Sequence, residues 1–382
     1  MVKRSEQNAY VQVWDYFSNK HEFRYNTITG NVEFRSSGKG QFSPLGDYDI
    51  NSLIVELAEK GFRINNNELM VLLKSSKAER FDPIMQYYQE SPPWDGKTDY
   101  IGQLANTVQT TNPEHWEKYF RKWFVALVAS NVDETVVNQT MLVLSGKQGV
   151  GKTTWLHNLL PKELQPYAFT GSLAFGNKDT DIYLAQSILI TLDEFSVMRK
   201  RDQEKLKELI TRPTITVRRP YERVPENLPR RASFCASTND DEFLFDLNGN
   251  RRFLCFEVES IDYENEVNIQ QAHAQAFVLA RSGFQFWIDQ SDFEEITSVN
   301  EGFTEVSLEE EMLIKYFEPC VPDEATHILS TTEIAEAIAT KQSRFWVNNS
   351  SIKGLGIALR KHKYTRLSRD GRKKYALKAR TS

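Results

Sequence analysis

A glycine-rich stretch that ends in a lysine and two threonines is the part of this sequence best suited to chemistry. Residues 146–153 fit the pattern G-x-x-x-x-G-K-[ST]. Glycines leave backbone N–H groups free to surround a phosphate, and a helix N-terminus adds partial positive charge. The sequence therefore predicts a phosphate-binding loop made of Gly146, Gln148, Gly149, Val150, Gly151, Lys152, Thr153 and Thr154.

The end of this loop predicts how a nucleotide would be held. The Lys152 ammonium would reach the β- and γ-phosphates of ATP, and the Thr153 hydroxyl would be a ligand of Mg²⁺. An apolar run at 140–144 predicts a buried strand before the loop, and residues 153–160 can open a helix after it. Strand, loop and helix in this order are the setting that such a loop requires.

Two acids follow a second apolar run, about forty residues beyond the loop. The run spans 187–192, and Asp193 and Glu194 come directly after it. Acids at the end of a buried strand are costly unless a cation meets them. We expect Asp193 to lie in the Mg²⁺ shell and Glu194 to orient and polarise the attacking water. With the loop, these acids predict an enzyme that hydrolyses ATP with Mg²⁺.

Polar residues after a third strand and before a fourth complete the candidate catalytic set. Asn239 ends the apolar segment 232–239 and could bond the γ-phosphate or the attacking water, or simply form a turn. Two arginines precede the strand 253–256, where either could stabilise transition-state charge on a neighbour's γ-phosphate or form a surface pair. The predicted catalytic residues are Lys152, Asp193, Glu194, Asn239, Arg251 and Arg252.

Arginines around a Pro-Tyr turn suggest a contact with DNA. The β-branched alternation at 214–217 predicts a strand, and Arg218, Arg219 and Arg223 follow it. A hairpin with arginines at its tip could grip phosphates, and Tyr221 could stack on a base. A solvated turn, or arginines that serve the ATP site, are the alternatives.

The last forty-two residues carry a charge that the net value of −5 hides. From Lys341 onward there are thirteen Lys or Arg and one acid, so this segment is +12 and the remainder −17. Helices near 330–338 and 350–362, followed by a hairpin at 364–377, predict a winged helix. A basic capping domain or a protein-docking module is the alternative. The predicted DNA contacts here are Lys353, Arg360, Lys361, Arg369, Arg372 and Lys373.

Composition sets limits on the class of protein. At 382 residues and 40% hydrophobic content, the chain can form two or three globular domains. It has no apolar run of membrane-spanning length, and its N-terminus does not resemble a secretory signal. Its three cysteines lie far apart, which disfavours a zinc site or a disulfide framework. We therefore expect no membrane partner.

Residues 81–317 resemble the virulence-associated protein E family. These proteins are P-loop ATPases of phages, plasmids and genomic islands, akin to superfamily 3 helicases. Seven motifs carry the resemblance, namely FDPIMQYYQESPPWDG (81–96), GKQGVGKTTW (146–155), ILITLDEF (188–195), KLKELIT (205–211), RRPYER (218–223), ASTND (236–240) and GNRRF (249–253).

The resemblance implies a fold, an activity and partners. The fold would be α/β, with an AAA+ or superfamily 3 helicase-like P-loop NTPase core, a helical N-terminal region and a C-terminal winged helix. Asn239 would be the sensor, and Arg251 or Arg252 the finger supplied in trans within a homo-oligomer, a hexameric ring. The chain would be a DNA helicase or translocase, acting on single-stranded or forked DNA in the cytoplasm of a bacterial or phage-infected cell. It would serve replication of a phage or other mobile element beside a possible separate primase.

The expected domain organisation has five parts. They are an accessory region (1–80), a helical region (81–133), the P-loop core (134–262), a helical lid and linker (263–320) and a basic winged-helix-like domain (321–382). Two other functions fit the same residues. One is a DNA-binding replication initiator or regulator that uses ATP as an assembly switch, and the other is an ATPase that remodels protein, for instance in phage defence.

Overall fold

The computed structural model describes residues 9–219, 222, 224–245, 249–369 and 371–380. The chain forms two compact units. The first runs to Phe243 and then from 249 to Phe303, and the second holds Leu244, Phe245 and everything described from Thr304 onward. The five-part division expected from the sequence stays a prediction.

The first unit begins with a small mixed α/β layer that has its own core. Residues His21–Asn26 and Val32–Ser36 form a hairpin in which Phe23 is opposite Phe34. The strands form a sheet in the order β3-β2-β1-β4. The elements are α1 (Ala9–Ser18), β1 (His21–Asn26), β2 (Val32–Ser36), β3 (Ser43–Pro44), α2 (Asp47–Glu59), α3 (Asn66–Leu73) and β4 (Glu79–Phe81).

A helical segment then leads into the main sheet. Its longest helix begins after the cap Asn112 with a proline, and it buries Trp116, Phe120 and Trp123 against the sheet. The segment was expected to be largely helical, and this is confirmed apart from one short strand. Its elements are α4 (Pro83–Glu90), α5 (Tyr100–Ala105), β5 (Val108–Thr110) and α6 (Pro113–Val132).

The main body of the first unit alternates strands and helices. Its elements are β6 (Met141–Ser145), α7 (Lys152–His157), β7 (Ala168–Thr170), α8 (Lys178–Gln186), β8 (Leu189–Leu192), α9 (Lys200–Thr211), β9 (Thr214–Val217), β10 (Glu226–Pro229), β11 (Ser233–Ser237), β12 (Phe253–Ile261), α10 (Ile269–Arg281) and α11 (Gln290–Asn300). Strands β9 and β10 pair as a separate two-stranded hairpin.

Six strands form the central sheet in the order β5-β12-β6-β11-β8-β7. All neighbours pair in parallel except β5 with β12. Strands β6, β8 and β11 are buried along their whole length, as expected of central strands covered on both faces. Because β11 lies between β6 and β8, the segments that follow these three strands meet at one edge. The fold is therefore mixed α/β with a parallel sheet, as predicted.

The second unit has helices on an antiparallel sheet. Strand β16 pairs with β13, β14 and β15, and Leu313, Ile334, Ile338, Leu355 and Leu359 fill the core. The predicted order of helix, helix and hairpin is confirmed. The elements are α12 (Leu308–Tyr316), β13 (Phe317–Pro319), β14 (His327–Leu329), α13 (Thr331–Lys341), α14 (Asn349–Lys361), β15 (Arg366–Arg369) and β16 (Arg372–Ala379).

Across the part of the chain that the structure describes, no helix combines the length and the apolar character needed to cross a bilayer.

Candidate active site

The loop between β6 and α7 adopts a conformation that only glycine accepts easily. Gly149 and Gly151 have φ values of +86° and +91°, in the left-handed region. A Cβ on Gly146 would lie 2.6 Å from the carbonyl oxygen of Val258 in β12, and one on Gly151 would run into the ring of Tyr263. The glycines therefore allow the loop to pass close to neighbouring elements.

Lys152 is the first residue of α7, and its side chain is held over this loop. The residue is only 6% exposed. Its Nζ lies 2.6 Å from the carbonyl oxygen of Gly146, 2.8 Å from that of Lys147 and 3.1 Å from Oδ1 of Asn239. Burial lowers the pKa of Lys152. All three acceptors are neutral, so an anionic oxygen placed here would bind the ammonium more strongly than they do.

The two acids lie where β8 ends, and both are exposed. Glu194 has φ 53° and ψ 51°, a left-handed conformation that costs a non-glycine residue about 1 kcal/mol or more. Such strain is concentrated at functional sites, because the surroundings must enforce it. The backbone therefore holds Glu194 in a defined position just after β8, at the carboxyl edge of the sheet.

The end of β11 contributes hydroxyl and amide groups. The Thr153 Oγ1 lies 3.0 Å from the Oγ of Ser237. Ser237 and Thr238 are buried, whereas Asn239 is exposed and reaches Lys152. Asn239 therefore lies just past the end of β11, which pairs with both β6 and β8.

One cavity of about 670 Å³ brings these groups together at the carboxyl edge of the sheet. Its lining comprises Gln148, Gly149, Gly151, Lys152, Thr153, Thr154, Gly171, Ser172, Asp193, Glu194, Ser237, Thr238, Asn239 and Tyr263. Two predicted loop residues are outside this lining. Val150 packs against the hydrophobic core, and Gly146 supplies a carbonyl oxygen to Lys152.

Several lining residues were not predicted from the sequence. Gly171 and Ser172 follow β7, Ser237 ends β11 and Thr238 follows it, and Tyr263 follows β12. The sequence does carry a signal for these residues. In a parallel sheet the residues after each strand meet at one edge, where ligands bind, so each strand end is a candidate part of the site. Tyr263 is 39% exposed and packs against Gly151, so it covers one side of the loop.

The donors at this edge suit a hard cation. The Thr153 hydroxyl and the Asp193 carboxylate are oxygen ligands of the kind Mg²⁺ prefers. Within the described ranges, no group of three or more His, Cys, Asp or Glu forms a metal cluster. Mg²⁺ is usually bound by one or two protein groups together with phosphates and water.

Arg251 and Arg252 lie elsewhere. In the parallel pair of β12 with β6, Phe253 is opposite Met141 and Glu257 is opposite Ser145. The arginines before Phe253 are therefore at the amino edge of the sheet, whereas the glycine-rich loop follows Ser145 at the carboxyl edge. Both arginines line a separate cavity of about 310 Å³.

The two arginines differ in their surroundings. Arg251 is exposed, and its guanidinium lies 4.5 Å from the centroid of the Phe293 ring. Arg252 is half-buried, and its Nε has no hydrogen-bond partner among the residues that the structure describes. Burial and the nearby charge of Arg251 lower the pKa of Arg252. Of the two, Arg251 is the more accessible to another molecule.

The hairpin of β9 and β10 does not present all its arginines to solvent. Arg218 is exposed, but Arg219 is 6% exposed and donates through Nη2 to the carbonyl of Thr27 at 3.1 Å. Its Nε lies 3.5 Å from Glu226. This placement corrects the prediction for Arg219, because a buried guanidinium cannot reach a DNA phosphate. Tyr221 and Arg223 lie outside the described residues.

Arg230 and Arg231, on the return of this hairpin, are also structural. Arg230 is 1% exposed, and burial lowers its pKa to about 9, so it stays charged at neutral pH. Arg231 donates to the carbonyl of Asn131 at 3.0 Å and pairs with Glu134 at 2.9 Å. Arg230 donates to the backbone carbonyls of Asn138, Ile210, Arg212 and Ala232.

In the second unit the predicted DNA contacts divide into two groups. Lys353 and Arg360 are exposed on α14, and Lys373 is exposed on β16. Lys361 instead pairs with Glu310 of α12 at 2.8 Å, which neutralises it in part. Arg369 and Arg372 are opposite each other where β15 meets β16, and their side chains lie outside the described residues.

Together the fold and the cavity define a mixed α/β protein whose parallel sheet carries a glycine-rich loop, two acids and an asparagine at its carboxyl edge. Residues 89–305 match the Virulence-associated protein E-like domain. The chain belongs to this family, which confirms the resemblance seen in its motifs. No curated protein matches the chain.

Solved structures of the NrS-1 C-terminal region are also similar to the chain. The apo structure of residues 305–718 is 14% identical, with a TM-score of 0.48 over 97% of this chain and 99% of that one. An A form of the same residues is 11% identical, with a TM-score of 0.48 over 97% and 99%. Another A-form apo structure is 13% identical, with a TM-score of 0.45 over 98% and 100%.

Proposed function

We propose that this chain is a P-loop ATPase that uses Mg²⁺-dependent hydrolysis of ATP to move along or unwind DNA during replication of a phage or other mobile element. The observation that supports this most is the cavity at the carboxyl edge. It holds Lys152, Thr153, Asp193, Glu194 and Asn239 beside a left-handed glycine loop. Those are the groups that phosphoryl transfer to water requires.

In this proposal the triphosphate lies along the loop between β6 and α7. Backbone N–H groups and the start of α7 would receive the phosphates. Lys152 would exchange its neutral carbonyl acceptors for anionic phosphate oxygens, which form stronger bonds with an ammonium. Thr153 and Asp193 would hold Mg²⁺, which when bound neutralises charge on the β- and γ-phosphates.

Glu194 and Asn239 would act on the attacking water. Glu194 follows Asp193 on the same strand end, and its exposed carboxylate can accept a proton or orient the water. Asn239 already contacts Lys152, so loss of the γ-phosphate would change the contacts of Asn239 and of the end of β11. A positioned general base contributes roughly 10²- to 10⁴-fold in rate.

The arginines at the amino edge would complete the active site of a second copy. Within one chain Arg251 and Arg252 are separated from the glycine-rich loop by the length of β6 and β12. If the amino edge of one copy meets the carboxyl edge of the next, each site gains an arginine. Such head-to-tail contacts form a ring when the rotation between successive copies closes. We propose a homo-oligomer for this reason, with a hexameric ring as the expected form.

DNA would be engaged by the exposed cations. Arg218 lies at the end of β9, in the hairpin that follows the acids, and Lys353, Arg360 and Lys373 are exposed on the basic second unit. These side chains can neutralise phosphates without regard to sequence.

The test measures ATP turnover and forked-duplex unwinding on one sample, with and without single-stranded DNA. We expect turnover that DNA accelerates, and strand separation that needs ATP. Lys152→Ala should remove both, whereas Lys147→Ala, which changes an exposed side chain of the same loop, should keep most of the turnover.

Three results would count against the proposal. Unchanged turnover in Lys152→Ala would reject the site. An ATP turnover rate that is the same with and without DNA would favour a protein-remodelling ATPase. ATP-dependent assembly on DNA without unwinding would favour a replication initiator.

A further inference from the structure

An exposed tryptophan lies within the basic last forty-two residues of the chain. Trp346 is 77% exposed, and Val347 beside it is 41% exposed. They belong to the turn between α13 and α14, residues 342–348, here called the Trp346 turn. A tryptophan is highly buried on average, so an exposed indole is a candidate for contact with a ligand.

The Trp346 turn is anchored on both sides of the indole. Phe345 is 4% exposed in the core of the second unit, and its N–H donates to the carbonyl of Gln342 at 3.0 Å. On the other side, Asn348 caps α14 by accepting from the N–H groups of Ser350 and Ser351 at 2.8 and 2.9 Å. The backbone around Trp346 is thus fixed, which reduces the entropy lost when the indole binds a ligand.

The charge around this turn selects the class of ligand. Between Lys341 and Lys363 the sequence has no acid. Arg344 is exposed in the turn, and Lys353 and Arg360 are exposed on α14. Lys353 and Arg360 are seven residues apart, so they lie on one face of the helix.

The acids Glu309 and Glu310 of the neighbouring helix α12 contact α14 at Gly354 and Lys361. Glu309 of α12 packs against Gly354, and Glu310 pairs with Lys361. Gly354 and Lys361 are also seven residues apart and form a different face of α14. Within the described ranges neither Lys353 nor Arg360 forms an ion pair, so both side chains can meet an anion.

We propose that the Trp346 turn is a base-stacking site for single-stranded nucleic acid, with Trp346 as the platform and Arg344 and Lys353 as phosphate contacts. Single-strand sites combine cations that follow the backbone with aromatic rings that stack on bases. The Trp346 indole supplies the aromatic ring for stacking, which cationic side chains alone do not provide. The inference rests on the DNA-binding part of the proposed function and is independent of the ATP site.

The experiment uses the full chain and a 20-nucleotide oligothymidylate that carries one 2-aminopurine. Binding is followed by anisotropy, and stacking is followed by the quenching of 2-aminopurine emission. Trp346→Ala should weaken binding by about 5- to 150-fold, the range that stacking of one base provides. It should also relieve the quenching, while Trp346→Phe should restore much of both signals.

Salt dependence separates stacking from charge. Arg344→Ala and Lys353→Ala should each reduce the slope of log K against log salt by roughly 0.7, the value per contact on a single strand. Trp346→Ala should leave that slope unchanged. Tyr48→Ala is the matched control, because Tyr48 is 83% exposed on α2 of the first unit and should not affect binding.

Three results would overturn the inference. The first is unchanged quenching in Trp346→Ala, and the second is an equal loss of affinity for a blunt duplex, which has no unstacked base. The third is binding of the chain to phosphatidylserine vesicles that needs Trp346, with no effect of Trp346→Ala on the oligonucleotide, which would favour a membrane contact. Turnover without DNA should be normal in Trp346→Ala. Lys152→Ala should keep oligonucleotide binding, so failure of the ATP site and failure of this site are distinguishable.

Discussion

The ammonium of Lys152 lies 3.1 Å from the amide oxygen of Asn239, although 87 residues separate them in the chain. Strands β6 and β11 are parallel neighbours, so the residues that follow them meet. This contact joins the loop proposed to bind phosphate to the tip of a second strand. On this basis we propose that Asn239 contacts the γ-phosphate or the attacking water and does more than form a turn.

Replacing Asn239 should therefore affect turnover more than nucleotide binding. In Asn239→Ala the loop carbonyls still hold Lys152, so the dissociation constant for ATP should change by less than tenfold. The turnover number should fall by about 100-fold or more, as when a positioned polar group is removed from an active site. Single-turnover kinetics and a fluorescent ATP analogue measure the two quantities. Loss of ATP affinity with normal turnover per bound ATP would show that Asn239 only shapes the loop.

The opposite placement of loop and arginines predicts complementation between inactive variants. Lys152→Ala should be inactive because its own loop no longer holds the phosphates. Arg251→Ala or Arg252→Ala, whichever removes the arginine that acts on the neighbouring copy, should lower turnover by about 10³-fold or more. Mixing the lysine variant with the inactive arginine variant, after dissociation and reassembly, should restore part of the turnover, because some interfaces then combine an intact loop with an intact arginine.

The control for this mixture is each variant reassembled with itself, which should stay inactive. A mixture that stays inactive, in samples whose mass shows that both variants co-assemble, would mean that the arginines do not act on the neighbouring copy.

The features predicted from the sequence agree best with the structure where the residue types themselves restrict the backbone conformation. The loop at 146–153 was predictable because glycine, lysine and threonine at that spacing have few other uses, and a buried strand precedes them. Asp193 and Glu194 followed from their position after an apolar run. Tyr263, Gly171 and Ser172 were not predictable, because each reaches the cavity only through the order of strands in the sheet.

The arginines show a different limit of sequence reasoning. Arg218 and Arg219 are adjacent in sequence, but one is exposed and the other is buried against Thr27. Residue type gives the charge of a side chain, while tertiary packing decides whether it meets solvent or backbone carbonyls. A cluster of arginines therefore predicts a DNA contact only for those members that stay exposed.

Arg230 provides a test of this distinction. Its guanidinium serves four carbonyls in the interior, so Arg230→Met should lower the free energy of unfolding by roughly 3 kcal/mol or more, since each unpaired buried group costs about 1–3 kcal/mol. The free energy of unfolding of Arg230→Lys should lie between those of the parent and Arg230→Met. Arg218→Met, an exposed change nearby, should stay within about 0.5 kcal/mol of the parent. Urea unfolding measures all three. A stable Arg230→Met that only loses DNA affinity would contradict the structural role.

His273 predicts an acid-sensitive term in the stability of the first unit. It is fully buried, with Nε2 2.8 Å from the carbonyl oxygen of Leu159 and Nδ1 2.9 Å from the hydroxyl of Tyr88. The carbonyl can only accept, so Nε2 carries the proton and the tyrosine donates to Nδ1. Burial lowers the pKa of His273 from 6.5 to about 4, so the neutral ring is the folded form.

The sign of the pH dependence follows from that shift. Between pH 6.5 and 4 the unfolded chain binds a proton that the folded chain does not, so stability falls as the pH falls through this window. A shift from 6.5 to about 4 corresponds to about 3 kcal/mol, because one pKa unit is worth 1.36 kcal/mol. His273→Gln should remove about this much of the loss between pH 7 and pH 4, measured by urea unfolding. The exposed His157→Gln should keep the parent's slope. Equal slopes in parent and His273→Gln would show that this ring titrates normally in the folded protein.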